Sequence, residues 1–183
     1  MRKVVLSEYD SPFGLLRLAA SEKGVHALAL RESRRDFMTA VAKAYPDADL
    51  AWAEAATTKP GAALVRWLDA YFAGKRPGLA SVPLAPAGTA FQSAVWKALA
   101  RIPFGALATY GEIAGRVDAG GARAVGQAVG ANPLPILIPC HRVVAADGKL
   151  GGFSCGVDVK AKLLRLEGFA VDLARGRVKA AGR

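Results

Sequence analysis

The residue best placed to do chemistry is Cys140, in the segment Asn132-Pro133-Leu134-Pro135-Ile136-Leu137-Ile138-Pro139-Cys140-His141-Arg142-Val143-Val144. A cysteine in an apolar run is ordinarily an inert core thiol. Here the prolines at 133, 135 and 139 forbid a regular helix and fix the backbone, so the thiol is presented from a rigid turn. A thiolate is the nucleophilic form, and a thiol of ordinary pKa near 8.5 needs a base or a positive field to reach it at neutral pH. His141 follows at once and can act as that base. Adjacent side chains in extended backbone point to opposite sides, so contact requires a kink, which Pro139 can supply. A histidine in this role is oriented by an acid, and Glu167, ending the amphipathic run Val159–Glu167 before Gly168, is the candidate. On residue types alone, this Cys-His-acid set fits a thiol hydrolase as well as a transferase.

The elements that must position these groups can be read from periodicity and turn signals. Lys3–Ser7, Leu15–Ala20 and Val25–Leu30 alternate in short runs between turns, predicting a three-stranded meander. Helices are expected over Arg34–Tyr45 and Gly61–Phe72, the second with Leu64, Trp67, Leu68, Tyr71 and Phe72 near one face. His26 lies alone in a strand pattern and reads as structural. A Pro- and Gly-rich stretch near 74–88 follows, so the domain boundary is set near residue 85. Beyond it, Thr89 caps a helix carrying Phe91, Val95, Trp96 and Leu99. Thr109-Tyr110-Gly111-Glu112 matches a capping box opening a helix to about Val117. A turn at Asp118-Ala119-Gly120-Gly121 leads into Ala122–Ala131, a helix almost wholly of small residues, which together make a helix-turn-helix outline. Small residues there serve close packing as readily as approach to a nucleic acid. The chain is read as α+β: an N-terminal α/β domain with a short antiparallel sheet, 1–85, and a C-terminal, mostly helical domain, 86–183.

Twenty-five Lys and Arg against fifteen Asp and Glu give +10, and the surplus is larger after residue 85, which favours a polyanionic partner, nucleic acid first. No run approaches the roughly 18 apolar residues of a spanning helix, and the N-terminus lacks a secretory pattern, so a cytoplasmic protein without membrane contact is expected. Two cysteines, Cys140 and Cys155, are too few for a disulfide framework or a thiolate metal site. The tail Ala174–Arg183, with four basic residues and no acid, is read as solvated and frayed.

The Pro139-Cys140-His141-Arg142-Val143 motif after Ile136-Leu137-Ile138, with Ala122-Arg123-Ala124-Val125-Gly126, Asn132-Pro133, Phe104-Gly105, Thr109-Tyr110 and Gly151-Gly152-Phe153-Ser154, resembles the O6-alkylguanine-DNA alkyltransferases. The resemblance covers about residues 88–170. It implies that Cys140 accepts the alkyl group of O6-alkylguanine, and of O4-alkylthymine, once per molecule and without a cofactor. His141, through a water, and Glu167 would activate the thiol. Asn132 would tie the recognition-helix end to the active-site turn, and Tyr110 would protonate the leaving purine. The resemblance also implies nucleotide flipping from double-stranded DNA bound through the minor groove, with Arg123 filling the vacated stack. Ala124, Gly126, Gln127, Ala128 and Gly130 would face the groove. Val129, Pro135, Val143, Phe153, Ser154 and Cys155 would line the alkyl pocket, Ser154 also donating its backbone N–H to O6. Two residues depart from the family's usual pattern: Phe153 stands where Tyr is common, and Cys155 where Gly is common, which predicts a narrower mouth. No cysteine precedes 140, so the structural zinc of some relatives is not expected, and a monomer suffices. The rival readings are a lesion-binding protein without the transfer, against which Cys140 argues, and a helix-turn-helix regulator, for which Arg123 and Gln127 alone could read bases.

Overall fold

In the computed structural model, which describes residues 2–117 and 121–180, the chain divides into two compact units, 1–87 and 88–183. The first opens with strands β1 (Arg2–Ser11), β2 (Gly14–Ser21) and β3 (Gly24–Leu30). These pair antiparallel in sequence order, as the alternation predicts. A strand that the sequence reading did not anticipate, β4 (Ala48–Trp52), adds to the free edge of β1 in parallel, giving the order β3-β2-β1-β4. The sheet is therefore mixed rather than purely antiparallel. Parallel addition needs a crossover, and α1 (Arg34–Ala44), capped by the Ser33 hydroxyl accepting from the Asp36 N–H, provides it. Phe37 and Val41 of α1 pack on Val4, Leu6, Ala19 and Ala29 of the sheet. Helix α2 (Lys59–Phe72) buries Leu64, Trp67, Leu68 and Tyr71. His26 is buried, its Nε2 2.8 Å from the Ser21 hydroxyl and its Nδ1 2.9 Å from the Ala85 carbonyl, a structural post that holds the 83–85 segment beside β3.

The second unit opens with α3 (Ala90–Ala100), where Thr89 and Gln92 form a reciprocal capping box. Two-residue strands β5 (Ala108–Thr109) and β6 (Val143–Val144) pair in parallel. Helices α4 (Tyr110–Val117), α5 (Gly121–Gly130) and α6 (Val157–Leu166) complete its helical part. The Asp118–Gly120 part of the predicted turn lies outside the described residues. The expected capping box of α4 is formed: the Thr109 N–H donates to Glu112 Oε2 at 2.6 Å and the Glu112 N–H to the Thr109 hydroxyl at 3.1 Å. The tail is not frayed over 177–180. Strand β8 (Arg177–Ala180) pairs antiparallel with β7 (Phe169–Asp172), because Val178 can bury itself against Val144, Leu150, Leu164 and Phe169. No helix among the described residues is long and apolar enough to cross a membrane.

Candidate active site

Pro139 has φ −79° and ψ 63°, and the Cys140 N–H donates across it to the Ile138 carbonyl at 2.7 Å, an inverse γ-turn. This is the kink that presents Cys140, which begins a single 3₁₀ turn through Arg142. Upstream, Ile136 takes φ 75°, a conformation costly for a β-branched residue and held by the burial of its side chain. Asn132, just past α5, fastens the turn. Its Oδ1 accepts from the Leu134 N–H at 3.0 Å, which fixes the amide's orientation, so that Nδ2 donates to the Ile138 carbonyl at 2.8 Å and to Cys140 Sγ at 3.0 Å.

His141 and Glu167 meet: Nε2 lies 2.8 Å from Oε1, and both side chains are fully buried. Glu167 also takes the Arg142 guanidinium on both oxygens at 2.8 Å and the Gly105 N–H at 3.3 Å. Burial would raise this carboxyl's pKa, but the bonds from His141 and Arg142 outweigh it and hold it down to about 2. An ionised Glu167 keeps the proton on Nε2, which makes Nδ1 the basic nitrogen. Burial depresses the His141 pKa more than Glu167 raises it, so the imidazole is neutral at pH 7. Burial pushes the Cys140 thiol up to about 12 against the Asn132 hydrogen bond, so the thiol form prevails at pH 7. The resting state is thus a thiol beside a neutral base, and ionisation has to accompany reaction.

Cys140 opens onto a cavity of about 190 Å³. Tyr110 forms one wall, Gly126, Val129 and Gly130 of α5 a second, and Gly152, Phe153 and Ser154 a third. This is below the roughly 300–1,000 Å³ of sites for drug-sized ligands and suits one flat ring system. The β5–β6 pair sets Thr109 against Val144, which carries Tyr110 to the cavity from the neighbouring strand end. Burial, then Cys140, raises the Tyr110 pKa, so the phenol keeps its proton. Phe153 packs edge-on to His141 at 6.4 Å.

Arg123 and Gln127 are exposed on α5, Gly130 is exposed, and Ala124 and Gly126 are half-buried. Ala128 differs from expectation: it is buried, and its backbone carbonyl accepts from Trp96 Nε1 of α3 at 2.8 Å. Three expected pocket residues do not border the cavity. Pro135 and Val143 are buried, and Cys155 is half-buried with its sulfur 3.9 Å from the Ser154 hydroxyl. Two cations escaped the sequence reading. Arg142, inside the recognised motif, completes the carboxylate's shell and donates to the Ile102 carbonyl at 2.6 Å. Lys160 is fully buried on α6 and donates to backbone carbonyls. The spacing held the signal, since Lys160, Leu163, Leu164 and Glu167 fall at i, i+3, i+4 and i+7, one helix face. Among the described residues no cluster of His, Cys, Asp and Glu is arranged to hold a metal ion.

Residues 4–86 match the family described as 6-O-methylguanine DNA methyltransferase, ribonuclease-like domain, and residues 90–169 match its DNA binding domain. The chain is 41% identical over 161 residues to the methylated-DNA–protein-cysteine methyltransferase of Methanosarcina acetivorans, covering 87% of this chain and 96% of that one. It is 45% identical over 159 residues to the enzyme of the same name from Methanosarcina barkeri, covering 86% and 93%. Its fold is similar to the crystal structure of Mycobacterium tuberculosis OGT in complex with DNA, with TM-score 0.73, 39% identity, and 89% and 92% of the two chains covered. Two halves matched in order, and relatives matched almost end to end, have one explanation: this chain belongs to the 6-O-methylguanine DNA methyltransferase family.

Proposed function

We propose that this chain repairs double-stranded DNA by moving the alkyl group of O6-alkylguanine onto Cys140, irreversibly and once per molecule. The carrying observation is the Cys140 thiol on the wall of a ring-sized cavity, bonded to Asn132 and followed directly by the buried His141–Glu167 pair. His141 Nδ1 takes the thiol proton through a water. The sulfur attacks the alkyl carbon in line; the S–C bond forms as the C–O6 bond breaks, and the bonding pair stays on the purine. Tyr110 protonates that purine and recovers a proton from His141, so the thiol proton ends on guanine and the alkyl group on sulfur. A thioether offers no leaving group, which makes the acceptor single-use. The same displacement extends to O4-alkylthymine.

The reacting carbon is inaccessible in a stacked pair, so the nucleotide is flipped, at a few kcal/mol, with Arg123 entering the stack. Helix α5 enters the minor groove, where its small residues allow close approach. The 88–183 unit acts as the DNA-binding and acceptor half, the 1–87 unit supports it, and a monomer suffices. Cys140 and Cys155 are not joined in a disulfide, which suits a reducing cytoplasm.

Mass spectrometry after mixing the chain with a duplex carrying one O6-methylguanine tests this. One added methyl on the Cys140 peptide, saturating at one per chain, is expected. Binding with the lesion left methylated would replace the proposal with damage recognition, and a regenerated Cys140 would replace it with hydrolysis.

A further inference from the structure

Lys160 is fully buried, and no carboxylate pairs with it among the described residues. An ammonium in that position is expensive unless its hydrogen bonds are met. Its three N–H groups donate to three backbone carbonyls: Val143 at 2.6 Å, Leu150, and Gly152 at 3.4 Å. These acceptors are not equivalent in the chain. Val143 ends the turn that begins at Cys140, whereas Gly152 belongs to the opposite wall of the cavity and Leu150 leads into it. That wall passes through Gly151 and Gly152, which have no side chains with which to hold themselves in place.

We propose that Lys160 is a positioning residue for alkyl transfer, joining the acceptor turn to the facing cavity wall and placing a positive charge at the end of the turn that begins with Cys140. This deepens the alkyl-transfer reading and rests on it. Hydrogen bonding alone would not demand a cation, since a neutral amide can donate twice. The charge adds that negative charge forming on sulfur is stabilised, while His141 is kept unprotonated and able to accept the thiol proton. Both groups feel this ammonium. Glu167 and Arg142, the other charges at the turn, are paired with each other, and Glu167 is bonded to His141. Burial brings Lys160 down to about 8, partly offset by Cys140, so the ammonium persists at neutral pH and is lost above about pH 8.

The test is Lys160→Gln in the full chain, followed by single-turnover methyl transfer from O6-methylguanine duplex between pH 6.5 and 9, with cooperative thermal unfolding as the check on folding. The variant is expected to be about tenfold slower at pH 7, equivalent to one pKa unit at the acceptor. The gap should close above pH 8, where the wild type loses its ammonium. A folded variant whose rate ratio to wild type stays constant across pH, or stays at one, overturns the proposal while leaving alkyl transfer intact. If the variant does not fold, the wild-type profile decides: a break from the plateau near pH 8 supports the charge, and a profile without one overturns it. A wild type that takes up no methyl refutes the alkyl-transfer reading itself.

Discussion

A carboxylate shut between an imidazole and a guanidinium is useful to a base only while it is ionised, and Glu167 is held in that state by His141, Arg142 and the Gly105 N–H. With its folded pKa near 2 and its ordinary value at 4.5, its contribution to stability is complete above pH 4.5 and drains away as pH falls toward 2. Glu167→Gln should remove that acid-dependent slope from thermal unfolding. At pH 7 it should destabilise by about 3–5 kcal/mol, because Arg142 stays buried without its counter-charge. Methyl transfer should fall by about 10²–10⁴ as the histidine loses its orienting partner; a variant with wild-type rate would remove Glu167 from the mechanism. Cys140, His141 and Glu167 were legible because the chain has only two cysteines and two histidines, one of each adjacent in a single motif, and because Glu167 closes an amphipathic helix just before Gly168. Arg142 and Lys160 were not, because long cations belong on surfaces unless tertiary structure supplies acceptors, and those acceptors are mostly backbone carbonyls, which no side-chain pattern reveals.

Between residues and the whole stand short elements that aim the site. Tyr110 is delivered by the two-residue β5 and the Thr109–Glu112 box, and its hydroxyl lies where a side chain on Gly151 would begin. A Cβ built on Gly151 would stand 3.2 Å from the Tyr110 hydroxyl oxygen, and its φ of +68° is already strained for any other residue. Gly151→Ala should therefore lower stability by about 1 kcal/mol and displace the phenol. The expected signature is at least a tenfold slower methyl transfer with unchanged affinity for undamaged duplex. Equal transfer rates would show that Tyr110 has freedom to move. Caps made the helices readable, since Thr89 and Thr109 announce their starts locally. Strands β4 and β8 were unread for the opposite reason: five and four residues long, each exists only through a partner the sequence does not place beside it. The same holds for Ala128, whose small side chain reads alike as groove-facing or core until the fold buries it and Trp96 bonds its backbone carbonyl.

At the scale of the molecule the net charge is the partner's signature, but not all of it is available to a partner. After residue 85 there are thirteen basic and six acidic side chains. Arg142, Lys160 and Glu167 are buried, leaving eleven basic against five acidic, a surplus of six. The residues before 86 carry twelve against nine. Phosphate contacts displace condensed counterions, so duplex affinity should fall with salt at a slope near −0.9 for each contact, chiefly through the second unit. Arg116, exposed in the last turn of α4, and Lys43, exposed in the last turn of α1, make a matched pair for this test. Arg116→Gln should reduce the slope by about one and weaken methylated and unmethylated duplex alike, the mark of a contact that positions without specifying. Lys43→Gln should leave the slope where it was. If the two substitutions act equally, binding is spread over both units by net charge alone, and the acceptor half has no special claim on the DNA.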